Sequence, residues 1–210
     1  MIDTGLAGRV VVVTGATGGI GAAIARAFRA QGARLALHHL PAETSAPDGV
    51  TWEHRTPPVA AAEALAAELG DAVAVGVDLS RPDATVDLLD QVEQRLGPVD
   101  VLVNNAAHCE SPDTVVALTA AGLERHYRVN AIAPALLTAE LARRRRGGHA
   151  PCVVNVSTDA ARAFPGQIGY GTSKAALEAF TRAAALDFLA SHQARWVTGQ
   201  VLQVAGGHAL

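Results

Sequence analysis

Along the chain, a short run of consecutive apolar residues is followed again and again by a longer stretch with helical spacing. Residues 9–14 hold four valines in a row before a glycine-rich turn, which predicts a buried strand. Residues 19–31 predict a helix and residues 34–38 a second strand. Residues 41–58 are polar and rich in turn formers, so they predict a loop. An alanine-rich helix follows at 59–69, and a third strand at 72–77 ends at Asp78. Residues 82–96 predict a helix with proline in its first turn, and residues 99–103 a fourth strand. Residues 120–146 read as mostly helical, with a kink or break at Pro134. A fifth strand at 152–156, a long helix from 168 to about 190 and a short last strand at 201–204 complete the pattern.

Strands that alternate with helices predict a parallel sheet with crossover helices. Continuous apolar runs, rather than alternating ones, predict strands covered on both faces. The expectation is one α/β domain over residues 1–210: a doubly wound parallel sheet in three layers, α/β/α, with six strands in the order 3-2-1-4-5-last. One long helix between residues 156 and 201 supplies one right-handed crossover, which predicts the last strand beside the fifth.

Composition adds limits. A chain of 210 residues buries roughly 70–75% of its unfolded surface and needs no disulfide or metal to hold it. A formal charge of −3 and a pI near 6.2 argue against nucleic acid or an anionic membrane as partner. The run Arg143 to Arg146 reads as a solvated helix end that complements the macrodipole. Cys109 and Cys152 read as free thiols, buried or partly buried, in a reducing cytosol. No start resembling a signal peptide and no apolar run near the roughly 18 residues of a membrane span are found, so a cytoplasmic protein is expected.

The chemistry begins at Thr14-Gly15-Ala16-Thr17-Gly18-Gly19-Ile20-Gly21, between a strand and a helix. Gly15 allows the tight turn, Gly19 lets backbone approach a pyrophosphate, and Gly21 lets helix and strand pack closely. The helix N-terminus then offers free N–H groups to phosphate. An acid about 20 residues further on would bind the ribose 2′-OH of NAD. His38 and His39 stand there instead, which leans towards NADP, with Arg55 as a candidate partner for a 2′-phosphate. The alternative for both histidines is an ordinary surface position.

Tyr170 and Lys174 stand at i and i+4, on one helix face. A nearby ammonium lowers a phenol from its usual value of about 10, and two or three units of lowering, about 1.36 kcal/mol each, would suit it to acid–base work. Ser157 lies thirteen residues earlier, at the end of the fifth strand. No metal-ligand spacing links His108, Cys109 and His126, so no metal is expected. His108 and Cys109 either line a pocket or pack.

The TGxxxGxG spacing, Asp78-Leu79, Asn104-Asn105-Ala106-Ala107, Asn130 in Val129-Asn130-Ala131, Ser157 and Tyr170-x-x-x-Lys174 occur in one order. Together they resemble the short-chain dehydrogenase/reductase family, and among it the 3-oxoacyl-ACP reductase-like members. The resemblance covers most of residues 8–187 and resumes from Phe188 to the end.

It implies a Rossmann-type oxidoreductase that moves a hydride between NADP, or NAD, and a small-molecule carbonyl or alcohol. Tyr170 would donate the proton, Ser157 polarise the oxygen, Lys174 tune Tyr170 and hold the nicotinamide ribose, and Asn130 anchor a relay water. Thr14, Gly15, Thr17, Gly19, Ile20, Gly21, His39, Asp78, Leu79, Asn104 and Ala106 would hold the cofactor with Tyr170 and Lys174. A homodimer or homotetramer pairing the Lys174 helix is implied too.

One departure stands out. After the catalytic helix the family has a strand, a Pro-Gly turn, a substrate lid and another helix. Here residues 188–191 already look like the end of its last helix, and residues 196–200 like the lead-in to its last strand. That loss bears on catalysis more than on cofactor binding, and the alternative function is an impaired NAD(P)-binding sensor or partner subunit.

Overall fold

The structure, a computed structural model, describes residues 4–42, 45–54, 57–144 and 151–189. Its elements are β1 (Val10–Val13), α1 (Gly19–Ala30), β2 (Arg34–His39), β3 (Thr51–Trp52), α2 (Val59–Leu69), β4 (Ala72–Gly76), α3 (Ala84–Leu96), β5 (Val101–Asn104), β6 (Glu110–Ser111), α4 (Ala120–Tyr127), α5 (Ala133–Arg144), β7 (Cys152–Asn155) and α6 (Ile168–Leu189).

Among the described residues the main sheet has five strands in the order β4-β2-β1-β5-β7. Every pairing in it is parallel. The five strands and their order match the expected 3-2-1-4-5. The sixth strand at 201–204, and so its place beside residues 152–156, lies outside the described residues. Arg55, residues 145–146 and the segment 196–200 lie outside them too.

Alternation along the strands builds two cores. Val10, Val12, Ala36, Val75 and Leu102 face α3 and α5 through Leu88, Leu89, Val92 and Leu137. Val11, Val13, Leu35, Leu37 and Val103 face α1 and α2 through Ala25, Leu65 and Ala66. Continuous valine runs are therefore needed, because each residue in a run meets one helical layer or the other. At the strands' N-terminal ends, Asp100 takes the Arg9 guanidinium at 2.8 Å and the Val10 N–H at 2.9 Å, which fixes the start of β1.

Four expectations change. The helical stretch 120–146 does break, but before Pro134: a π-helical turn, Arg128–Ile132, separates α4 from α5. Such turns let the backbone project one extra residue, here the fully buried Asn130. The run of arginines is not uniformly solvated either. Arg144 is largely buried and bridges α5 to α3 through Asp90 at 2.7 Å and Glu140 at 2.8 Å. Finally, the polar loop 41–58 is not structureless, since β3 pairs antiparallel with β6, Thr51 opposite Ser111 and Trp52 opposite Glu110. The two thiols are unpaired; Cys109 is buried, whereas Cys152, expected at least partly buried, is exposed on β7.

Candidate active site

Where β1 ends, its neighbours take over its hydrogen bonds. Thr14 Oγ1 donates to Val103 O at 3.3 Å and accepts the N–H groups of Asn105 and Ala106 at 2.9 and 3.0 Å. The Asn105 amide donates back to Thr14 O and Gly15 O at 2.9 and 3.1 Å. The turn is thus welded to the end of β5, and Gly15 sits at φ +62°, where glycine is at home. A Cβ on Gly21 would fall 2.2 Å from Gly15 O, so no side chain fits there. At Gly19, by contrast, nothing stands within 4 Å of a Cβ, and the N-cap Gly18 supplies no side-chain cap to α1. An uncapped helix start with open space before it fits a nucleotide diphosphate. Ile20 is two-thirds exposed beside it, and Thr17 lies within the same turn.

The surface reading of the histidines is overturned, since His38 and His39 are 3% and 7% exposed. His38 points inward. Its Nδ1 accepts the Gly15 N–H at 3.1 Å, and its Nε2–H donates to Val77 O at 2.8 Å. An acceptor on one side and a donor on the other fix the neutral tautomer. Burial pushes its pKa down to about 4, and the neighbouring His39 works in the same direction against Val77 and Asp78. His39 bonds the backbone oxygen of Leu40 at 3.0 Å.

Asp78 closes its own turn, accepting the Ser80 N–H and hydroxyl at 2.9 and 2.8 Å, and Leu79 is buried behind it. Asn104 donates to Asn155 at 2.8 Å, and Asn155 to Thr181 on α6 at 2.8 Å. Asn104 Oδ1 is buried without a protein partner.

Asn130, Ser173 and Tyr170 are brought together. The Asn130 amide donates to His108 O and to Ser173 Oγ, both at 2.9 Å, and its oxygen accepts the His108 N–H at 2.7 Å. Ser173 Oγ donates to Tyr170 O at 2.7 Å. Lys174 is 2% exposed and donates to Val156 O at 2.9 Å; burial pushes it down to about 8. Ser157, next along, donates to Glu178 on α6 at 2.7 Å.

The expected lowering of Tyr170 is not found. Burial, then the Cys109 thiolate form and Asp159, push its phenol above the usual value, and a hydrogen bond with Thr158 only partly opposes them. The ammonium that should lower it is itself desolvated and committed to Val156 O.

Several residues of the site carry no signal in the sequence. Asp113, 4% exposed, accepts the N–H groups of Gly169 and Tyr170 at 2.8 and 2.9 Å and so caps α6 where the phenol stands. His126 Nε2, 4.0 Å from Asp113 Oδ2, is buried without a hydrogen-bond partner. Asp113 is a common residue type whose partners lie 56 and 57 residues away in sequence, so spacing cannot reveal it. Among the described residues no cluster of three His, Cys, Asp or Glu side chains could hold a metal ion.

With this geometry in place, comparison with known proteins is specific. The short chain dehydrogenase family profile matches residues 9–198, and the chain belongs to that family. It is similar to nodulation protein G of a Rhizobium species, 31% identical over 262 aligned positions that cover 98% of each chain. An alignment of 262 positions is longer than a chain of 210 residues, so some tens of the relative's residues face a gap. Among solved structures, FolM alternative dihydrofolate reductase 1 of Brucella canis, complexed with NADP, is 27% identical at a TM-score of 0.74, covering 90% of this chain and 69% of that one. The promiscuous reductase LugOII, which catalyses a keto-reduction in lugdunomycin biosynthesis, is 31% identical at a TM-score of 0.71, covering 90% and 74%.

The His38 bridge predicts a pH signature. The folded state keeps this imidazole neutral down to about 4, whereas an unfolded histidine titrates near 6.5. Its contribution is therefore fully present above about 6.5 and is lost as pH falls towards 4, by up to about 1.4 kcal/mol per unit. Urea unfolding between pH 7 and pH 5 is expected to show a smaller stability loss in His38→Asn than in the parent. Equal slopes would remove His38 from the account.

Proposed function

We propose that this short-chain dehydrogenase is an active NAD(P)-dependent oxidoreductase acting on a carbonyl or secondary alcohol, with Tyr170 as the acid/base. The observation that carries the reading is the half-buried phenol in the first turn of α6, held through its backbone by Asp113 and by the Asn130-bound Ser173, four residues before the buried Lys174. A phenol above its usual range keeps its proton at neutral pH, which is the form a proton donor to a carbonyl needs. NADP(H), when bound, supplies the hydride.

The first turn of α1, with Thr14, Gly15, Thr17, Gly19, Ile20 and Gly21, would hold the diphosphate. His39, Asp78, Leu79, Asn104 and Ala106 would border the nucleoside, and Lys174 would hold the nicotinamide ribose. Ser157 would hold the substrate oxygen by turning its hydroxyl from Glu178, and Asn130 would keep a relay water beside Lys174. NADP is favoured over NAD because the end of β2 carries no carboxylate to repel a 2′-phosphate, and because the similar FolM structure is complexed with NADP. LugOII's keto-reduction supports the same reaction class.

The reading takes residues 1–210 as one catalytic unit, paired through α6 with a second copy. Two unpaired thiols suit a reducing compartment, and the reading puts the protein in the cytoplasm. No helix among the described residues is long and apolar enough to cross a membrane.

Three outcomes follow. Tyr170→Phe keeps the ring and removes the transferable proton, so NADPH binding by fluorescence is retained while turnover of a ketone falls at least about 100-fold. Near-normal kcat would dismiss Tyr170; binding of NADPH without turnover of any ketone by the parent would favour the impaired sensor or partner subunit instead. Titration of both cofactors is expected to give the lower Kd for NADPH, and an NADH preference would overturn the reading of the β2 end. Light scattering is expected to give a multiple of 21.5 kDa, and a clean monomer would count against pairing through α6.

A further inference from the structure

The antiparallel pair of β3 and β6 carries a loop from between β2 and α2 across to the start of α6. Its backbone is held by the β3–β6 ladder and by the Glu53 N–H, which donates to Cys109 O at 2.9 Å. The Ser111 hydroxyl adds a bond to the Glu53 carboxylate. The result is a ribbon of fixed register that sets His54 beside the phenol and Trp52 against His108. Trp52 meets His108 edge-on with centroids 4.7 Å apart, and the Arg125 guanidinium lies 5.7 Å from the Trp52 ring. His54 stands edge-on to Tyr170 with centroids 6.3 Å apart.

The charges nearest Trp52 and His108 are paired with each other, while Lys174 and the Glu53 carboxylate act on His54 in opposite directions. Arg125 is clamped by both oxygens of Glu110 at 2.7 and 2.8 Å, and His108 bonds the same carboxylate at 2.8 Å. Burial pushes His54 and His108 below the ordinary histidine range, with Lys174 adding to the effect at His54, so both are neutral at pH 7. His54 itself is exposed at the ribbon's edge, free to meet a small molecule that approaches Tyr170. A wall of flat, uncharged ring faces and edges matches a flat, uncharged partner better than a flexible or ionic one, because stacking and edge contacts need planar surfaces and an ion would lose its hydration there.

We propose that residues 51–54 form the substrate-facing wall of this site, with Trp52 and His54 as specificity-determining residues that select an uncharged carbonyl carried on a flat, unsaturated ring. The proposal rests on the oxidoreductase reading but is tested by binding as well as turnover. The probes are indan-1-one, a ketone on a flat ring, and ethyl acetoacetate, a flexible one, each added to protein loaded with NADP+ or NADPH.

Saturation-transfer NMR is expected to show indan-1-one binding more tightly than ethyl acetoacetate. His54→Ala and Trp52→Leu are each expected to weaken indan-1-one about tenfold, in binding and in kcat/KM, and ethyl acetoacetate by a smaller factor, with the NADPH Kd changed less than about twofold. Trp52→Phe, which keeps a flat ring, is expected to retain the preference. Indan-1-one bound no better than ethyl acetoacetate, or bound equally by parent and both variants, overturns the proposal. So does a loss of NADPH affinity in His54→Ala, which would put the ribbon over the cofactor instead. Ring-dependent binding of indan-1-one without its reduction would sink the oxidoreductase reading and leave the wall standing.

Discussion

The Thr14 hydroxyl at the end of β1 is the interaction on which the site depends. A parallel sheet ends in a row of backbone groups that its own ladder no longer satisfies, and burial makes each one costly to leave unpaired. Thr14 closes that edge towards β5 by accepting two successive N–H groups, while Asn105 and His38 tie the glycine turn from either side. The turn is thereby rigid before any ligand arrives, and the first N–H groups of α1 are aimed outward without a side chain to cap them. Preorganised donors of this kind bind an anion without first having to be ordered.

The same logic runs on the catalytic side. Tyr170 lies in the first turn of α6, where helix N–H groups have no intrahelical partners. Asp113 takes two of them, including that of Tyr170 itself, and Ser173 ties the Tyr170 carbonyl to Asn130 in the π-helical turn. The phenol is thus positioned through its backbone by two loops that are distant in sequence. The π-helical turn makes this possible by projecting Asn130 inward where a regular helix would carry its side chain elsewhere.

Much of this was legible in the sequence, for a physical reason. Valine runs, glycine spacing and a Tyr-x-x-x-Lys pair are local patterns, and parallel sheets demand them locally. The five strands of the main sheet followed from the apolar runs, and their order from the crossover pattern and the family resemblance. What was not legible depended on partners far apart in the chain. A surface position stayed open for His38 because its role is to bridge Gly15 and Val77, and neither contact leaves a pattern around residue 38. The two-residue strand β3 sat in a polar stretch whose ordering comes from residues 110–111. Asp113 was passed over because a helix cap uses an ordinary residue type, and the clamping role of Asn105 was not visible within its motif.

The electrostatics of Tyr170 carry the last step. Spacing alone argued for a phenol lowered by Lys174 towards working pH, which would suit it to acid–base work. The structure instead buries both groups and commits the ammonium to Val156 O, so desolvation dominates and the phenol rises. A raised phenol stays protonated at neutral pH and gives up its proton less readily. Reduction of a carbonyl draws on the form that is already populated at neutral pH, whereas oxidation of an alcohol must first create the phenolate against burial. The same burial that sets Lys174 against Val156 O thus keeps Tyr170 protonated, the form that the proposed reduction would use.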